Sequence, residues 1–298
     1  MAIIGESTVL ALDTEASSFH RYHERLCLIQ ISDRTRTFLI DPLVVPDMAP
    51  LGRLLADPAV EWVIHDADYD LRMLKKMWGF RVARVFDTMV SAELLNEAEL
   101  GLAALLGKYF GVLVNKKFQK ADWGKRPLPA DMLAYAAMDT TYLIALRDKL
   151  DEALVATGRR GWAEEEFTEL VDIPFQPTDH EDEPAFLRMK GAKALKPRQL
   201  AVLKEVHTWR DGLAQRLDRA PFMVLGNDVL IDMAKNPPQD LAELGRRKGV
   251  GSSTLTRNGV EIMAAVERGA ACPKEDWPRI PRPKRWDRGP PETPQSGP

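Results

Sequence analysis

Apolar and polar positions along the chain change period at a few definite places, and those changes lay out the elements. Near the N-terminus the run Val9-Leu10-Ala11-Leu12 is apolar, of strand length, and ends in Asp13-Thr14-Glu15. Alternate residues of a strand share a face, so Asp13 and Glu15 point the same way. Residues 62 to 64 repeat the motif in shorter form (Trp62, Val63, Ile64), and after a polar turn Leu71, Leu74 and Met77 recur at helical spacing. The strongest helical pattern is LPADMLAYAAMDTTYLIALRDKL, where Leu133, Ala136, Ala137, Leu143 and Ile144 form an apolar stripe. Residues 101 to 108 (GLAALLGK) read as an amphipathic helix. They have one residue too many for a Walker A loop, and Tyr109 stands where Ser or Thr is required. Periodicity stops near residue 171 in a stretch rich in Pro and acidic residues, then resumes as short helices punctuated by Pro and Gly. The pattern predicts an α/β domain over residues 1–170, a linker over 171–186 and a small all-α domain over 187–272. A Pro-rich basic tail over 273–298 is expected to be disordered.

Acidic residues sit where this pattern would favour apolar ones. Asp139 falls on or beside the apolar stripe, and a carboxylate there needs a cation or a hydrogen-bond partner. Tyr135 precedes it by four residues, one turn away on the same helical face. Asp66, Asp68 and Asp70 crowd the start of the helix after Ile64. Capping and the helix dipole account for two of these three, and local sequence does not choose among them.

Taken in order, LDTE, then H-x-x-x-x-D-x-x-x-L from His65 to Leu74, then Y-x-x-x-D from Tyr135 to Asp139, resemble the motifs of the DEDD 3′→5′ exonuclease superfamily in its tyrosine branch. Ribonuclease D is the nearest family. LCLIQIS (26 to 32), LIDPL (39 to 43), FDT (86 to 88) and KADWGKRPLP before YAAMD agree with it, so the resemblance covers residues 8 to 150. The second motif counts five residues from His to Asp and selects Asp70. The resemblance implies a ribonuclease H-like domain with a mixed central sheet. It implies Asp13, Glu15, Asp70 and Asp139 as ligands of two divalent metal ions, magnesium with manganese able to substitute, and Tyr135 as the residue orienting the attacking water. Magnesium prefers oxygen ligands, which suits an all-carboxylate set. Where many ribonuclease D sequences run Asp-Thr-Glu-Phe, this chain has Ala16, and Phe19 is the aromatic that could contact the last base instead.

Residues 187–272 resemble the HRDC domain, a helical module shared by ribonuclease D and RecQ-type helicases, through the helix around Trp209 and Arg210, PFMVL, and DLAEL followed by a Gly turn. The implied activity is 3′→5′ exoribonucleolysis releasing nucleoside 5′-monophosphates from RNA with a free 3′ end, tRNA precursors foremost and single-stranded DNA as a further substrate. A DNA exonuclease of the Werner type is the alternative. A nucleic-acid-binding adaptor with a dead site is disfavoured, because all four carboxylates and the tyrosine are present.

Charge sharpens this picture. The net charge of −3 conceals 20 basic against 31 acidic residues over positions 1 to 185, and 21 against 13 over 186 to 298. The two parts carry −11 and +8, as expected of a catalytic domain that needs cations joined to a domain that attracts phosphates. Arg246, Arg247 and Lys248 are candidates for phosphate contact, whereas Trp209 shares its helical face with Leu203, Val206 and Leu213 and reads as a core residue. The two cysteines, Cys27 and Cys272, form neither a CxxC pair nor a disulfide framework. With no leader pattern at the N-terminus and no apolar run of spanning length, a cytoplasmic protein with no membrane segment and no obligate protein partner is expected.

Overall fold

The computed structural model describes residues 7–115, 117–172 and 183–280. Most of the predicted linker (173–182) and the end of the predicted tail (281–298) lie outside the described residues. The rest falls into two compact units, the first formed by the residues before the linker together with Leu217–Ala220, the second by the remaining residues after it.

The first unit is built on five strands, β1 (Val9–Ala16), β2 (Leu26–Ser32), β3 (Thr37–Ile40), β4 (Glu61–Ile64) and β5 (Val85–Asp87), in the order β3-β2-β1-β4-β5. β2 runs antiparallel to β1 and to β3, while β1–β4 and β4–β5 are parallel, so the sheet is mixed. The helices are α1 (Ala49–Leu55), α2 (Ala67–Trp78), α3 (Thr88–Leu94), α4 (Leu102–Phe110), α5 (Ala130–Thr141), α6 (Leu143–Ala156) and α7 (Arg160–Asp172). They cover both faces of the sheet. Leu10, Leu12, Ile29 and Ile31 pack with Leu51 and Leu55 of α1 and Met73 and Leu74 of α2 on one face. Ala11, Val63 and Phe86 pack with Ala92, Leu105, Leu146 and Phe167 on the other. This is the ribonuclease H-like arrangement the sequence resemblance implies.

α5 rides on this second face, above β2. Met132 and Ala136 pack on Cys27, Leu28 and Trp123, and a chain of hydroxyls fixes the helix to the sheet. Ser32 Oγ donates to Thr140 Oγ1 at 2.7 Å and lies 2.8 Å from Thr37 Oγ1. Thr140 is fully buried, so this polar contact sets the height and rotation of α5 where apolar packing alone would let it slide.

The second unit is all helical: α8 (Pro197–Arg216), α9 (Pro221–Val224), α10 (Asn227–Lys235), α11 (Leu241–Gly245) and α12 (Ser252–Ala270). Its core joins Leu200, Leu203 and Val206 of α8 to Leu230 and Met233 of α10 and Ile262 and Val266 of α12. α8 and α12 cross so closely that a Cβ on Gly269 would fall on the backbone of Val202. Arg210, 4 % exposed, donates from Nη1 to the Leu225 carbonyl at 3.0 Å and to Asn227 Oδ1 at 2.7 Å, pinning the α9–α10 junction. Trp209 packs against the core and donates its indole N–H to Glu261.

The structure corrects one expectation. Composition places residues 273–280 in a disordered tail, yet Lys274–Asp276 forms a 3-10 turn, Trp277 Nε1 donates to the Cys272 carbonyl at 3.0 Å, and Ile280 packs against the helical core. Two large apolar side chains outweigh the surrounding prolines.

Candidate active site

The site forms where β1 ends. Leu10, Leu12 and Thr14 face α2, while Ala11, Asp13 and Glu15 face the side covered by α5, as strand alternation dictates. α5 brings Asp139 over that face. One carboxylate oxygen from each of Asp13, Glu15 and Asp139 lies within 4.8 Å of the others. Asp70 reaches the same strand end from α2. Its side chain is 5 % exposed and accepts a hydrogen bond from Thr14 Oγ1. Three of the four sequence-derived carboxylates thus converge directly, and Asp70 stands beside them, turned onto Thr14.

Charges of one sign this close, taken from water, resist ionisation. Burial first, then the neighbouring carboxylates Asp70, Asp139 and Glu15, raise Asp13 well above the usual carboxylate range. Burial followed by Asp139 and Asp70 pushes Glu15 up to about 9. Burial raises Asp139 to about 7, and raises Asp70 to about 7 against the opposing Thr14 hydrogen bond. Among the described residues no Lys, Arg or His forms an ion pair with any of the four. A half-buried group of carboxylates without a cation is a donor set for a hard divalent ion, and the all-oxygen chemistry of the cluster fits magnesium.

Tyr135 sits one helical turn before Asp139. Its ring stands edge-on to Phe118 at 5.8 Å and tilted against Trp123 at 6.2 Å. Burial, then the charges of Asp139, Glu15 and Asp13, raise the phenol well above its ordinary pKa, so the hydroxyl keeps its proton at neutral pH. The loop that supplies Phe118 and Trp123 is held by Arg126, which pairs with Asp41 at 2.6 and 2.7 Å and donates to the carbonyls of Cys27 and Trp123. The family-like stretches around Asp41 and Arg126 therefore act together as the brace behind Tyr135.

The start of α2 departs from its sequence reading. Asp66 occupies the cap position in a left-handed conformation (φ 61°) but makes no capping bond, and Asp68 pairs with Arg72 at 2.8 Å. The capping carboxylate comes from β5 instead. Asp87 accepts from the backbone N–H of Ala67 (2.7 Å) and Asp66 (3.3 Å) and, at the same time, of Met89 (2.7 Å) and Val90 (3.1 Å) at the start of α3. Nothing in the local period of residues 61 to 80 reports a partner twenty residues away. The FDT stretch was the available signal. Alongside it, His65 Nδ1 lies 2.9 Å from Thr88 Oγ1, and that hydroxyl donates to the Ile64 carbonyl, so the ring nitrogen is the donor.

In the second unit the run Arg246-Arg247-Lys248 divides. Arg247 is bound to Asp232 at 2.5 Å, to Glu243 at 3.3 Å and to the Asn236 carbonyl, with its side chain only 10 % exposed. Arg246 and Lys248 are exposed. Phe19 is 41 % exposed, with Lys120 Nζ 5.8 Å from its ring centre. No helix among the described residues is long and apolar enough to cross a membrane.

Comparison with known proteins finds two family models along the chain. Residues 2–155 match the 3′→5′ exonuclease family model and residues 199–266 the HRDC domain. The chain is 31% identical over 276 residues to ribonuclease D of Pseudomonas paraeruginosa, covering 92% of this chain and 73% of that protein. Among solved structures, the catalytic core of RRP6 from Trypanosoma brucei superposes with a TM-score of 0.79 at 28% identity over 91% of this chain and 77% of that one. Escherichia coli RNase D, an exoribonuclease involved in structured RNA processing, superposes at 0.70 and 29% identity over 93% of this chain and 74% of that one. Matched in both its domains and along nearly its whole length, the chain belongs to the ribonuclease D family of metal-dependent 3′→5′ exoribonucleases.

Proposed function

We propose that this site shortens RNA from its 3′ end by two-metal-ion hydrolysis, one nucleoside 5′-monophosphate at a time, with structured RNAs such as tRNA precursors as substrates. The observation that carries the reading is the convergence of Asp13, Glu15 and Asp139 within 4.8 Å, with no cationic partner among the described residues. Asp13 and Glu15 would hold the ions from β1, Asp139 from α5 and Asp70 from α2. Bound divalent ions supply the acidity that makes water a nucleophile at neutral pH and the charge that stabilises the phosphoryl oxygens and leaving group. The protein's own share is placement. The unionised Tyr135 hydroxyl has one hydrogen to donate and a lone pair to accept, so it fixes the line of attack of the water without serving as the base. Phe19, exposed near the end of β1, offers a ring for the terminal base. The preference for structured RNA rests on the E. coli relative, and a cytoplasmic setting on the two free cysteines.

A time course with magnesium and matched 5′-labelled RNA and DNA strands of one sequence tests this, with Asp139→Asn run in parallel. Stepwise shortening of RNA that the variant lacks, with RNA binding retained, is the expected result. Preference for DNA would move the assignment to DNA metabolism. Full activity in the variant would remove Asp139 from the metal site, and inert wild-type protein would leave a binding role.

A further inference from the structure

Gln30 stands on β2 directly across from Asp13. Opposed residues of an antiparallel pair point to the same face with their Cβ atoms about 5 Å apart. On that face Gln30 is flanked along its own strand by Leu28, packed with Met132 and Ala136, and by Ser32, bonded to Thr140. It therefore lies under α5, beside Asp13 and below the helix that carries Asp139. Its exposure is 0 %, and neither Nε2 nor Oε1 has a hydrogen-bond partner among the described residues. Buried side-chain amides are nearly always paired. An apolar residue of the same shape would fill this place without leaving three groups unsatisfied, and its neighbours Leu28, Ile29 and Ile31 are apolar. An orphaned donor facing a carboxylate is accounted for if the bond forms only when the cage is loaded.

We infer that Gln30 is a positioning residue of the metal cage, its Nε2–H groups donating to the Asp13 carboxylate once a divalent cation is bound and fixing which oxygen faces the ion. The inference rests on the reading of Asp13 as a ligand. A neutral donor suits this position, because Lys or Arg would compete with the cation and Glu would add repulsion to an already crowded set. Hydrogen bonds that orient a ligand govern metal affinity in this way.

The test uses the full-length protein and manganese binding without RNA, measured by calorimetry for wild type, Gln30→Met and Asp13→Asn. Met matches Gln in shape and lacks its donors. Gln30→Met is expected to have a Tm without metal at or above that of wild type and to weaken manganese binding about tenfold, with the magnesium concentration for half-maximal cleavage raised by the same factor. Asp13→Asn is expected to abolish binding. If Asp13→Asn binds manganese like wild type, the ligand assignment itself fails. If Asp13→Asn loses binding but Gln30→Met keeps wild-type affinity, only the role of Gln30 is overturned. Should Gln30→Met not fold, NMR of 15N-labelled wild type decides. The Gln30 side-chain NH2 should exchange more slowly when magnesium is added, and unchanged exchange overturns the inference.

Discussion

At the scale of single residues the molecule is decided by buried groups whose charge state and partners are constrained. Four carboxylates gathered at one strand end are a liability to the fold until a cation joins them, and this sets a thermal prediction. Magnesium should raise the Tm of wild-type protein above its value in chelator. Asp139→Asn, which deletes one repelling charge, should be more stable than wild type in chelator by about 1–3 kcal/mol and gain less from magnesium. Equal Tm shifts on adding magnesium would show that Asp139 does not feel the ion. His65 provides a pH test away from the carboxylates. Burial lowers its pKa from 6.5 to about 4, with the nearby Asp66 only partly opposing. A folded-state pKa below the unfolded one means that the unfolded chain binds the extra proton between pH 6.5 and 4, so this group withdraws stability as the pH falls through that window. The loss should reach about 2–3 kcal/mol at pH 4. In His65→Gln, which can still donate to Thr88, urea midpoints between pH 7 and 4.5 should fall less steeply than in wild type. Parallel slopes would place the acid sensitivity elsewhere.

At the scale of elements, each side chain of the candidate site is only as well placed as the helix or strand that carries it, and this is where sequence and structure part company. Asp13 and Glu15 were legible because a strand's alternation fixes their common direction without further information, and Tyr135 and Asp139 because a helical turn does the same. How α2 is seated was not legible. Asp66 and Asp68 look like its cap, yet the carboxylate that receives its first N–H groups is Asp87, which also caps α3. A contact across the sheet leaves no trace in local period. The same holds for Thr14, which reads as the polar middle of a motif and proves to be the hydroxyl that anchors Asp70. Asp87→Ala should strand four N–H groups at two helix starts and lower stability by about 2–4 kcal/mol. At temperatures where the variant remains folded it should also cleave RNA more slowly, through the displaced Asp70. Wild-type activity in a destabilised Asp87→Ala protein would show that α2 is located by its apolar face alone.

At the scale of the whole chain, charge is divided unevenly along the sequence, and the change of sign falls within the predicted linker. Residues 1–185, at −11, hold the carboxylate cluster, whereas residues 186–298, at +8, carry the charge expected to attract a polyanion. Sequence located that asymmetry but not its usable fraction, because a basic run in print does not reveal which guanidinium is already committed. Arg247 is spent on Asp232 and Glu243 and belongs to the fold of its own unit, which leaves Arg246 and Lys248 for phosphate. Replacing both with Ser should therefore weaken RNA binding to a similar extent for every sequence tested. It should also reduce the slope of log affinity against log salt by about 1.4, roughly 0.7 for each single-strand phosphate that is no longer neutralised. Turnover on a short RNA at saturating concentration should stay at the wild-type rate, because neither residue belongs to the unit that holds the carboxylates. Replacing Arg247 instead should lower the Tm, since it removes a largely buried partner from two acids. An unchanged salt slope in the Arg246→Ser/Lys248→Ser protein would mean that the phosphates are held by other basic residues, and the excess of positive charge beyond residue 185 would then act through its long-range field alone.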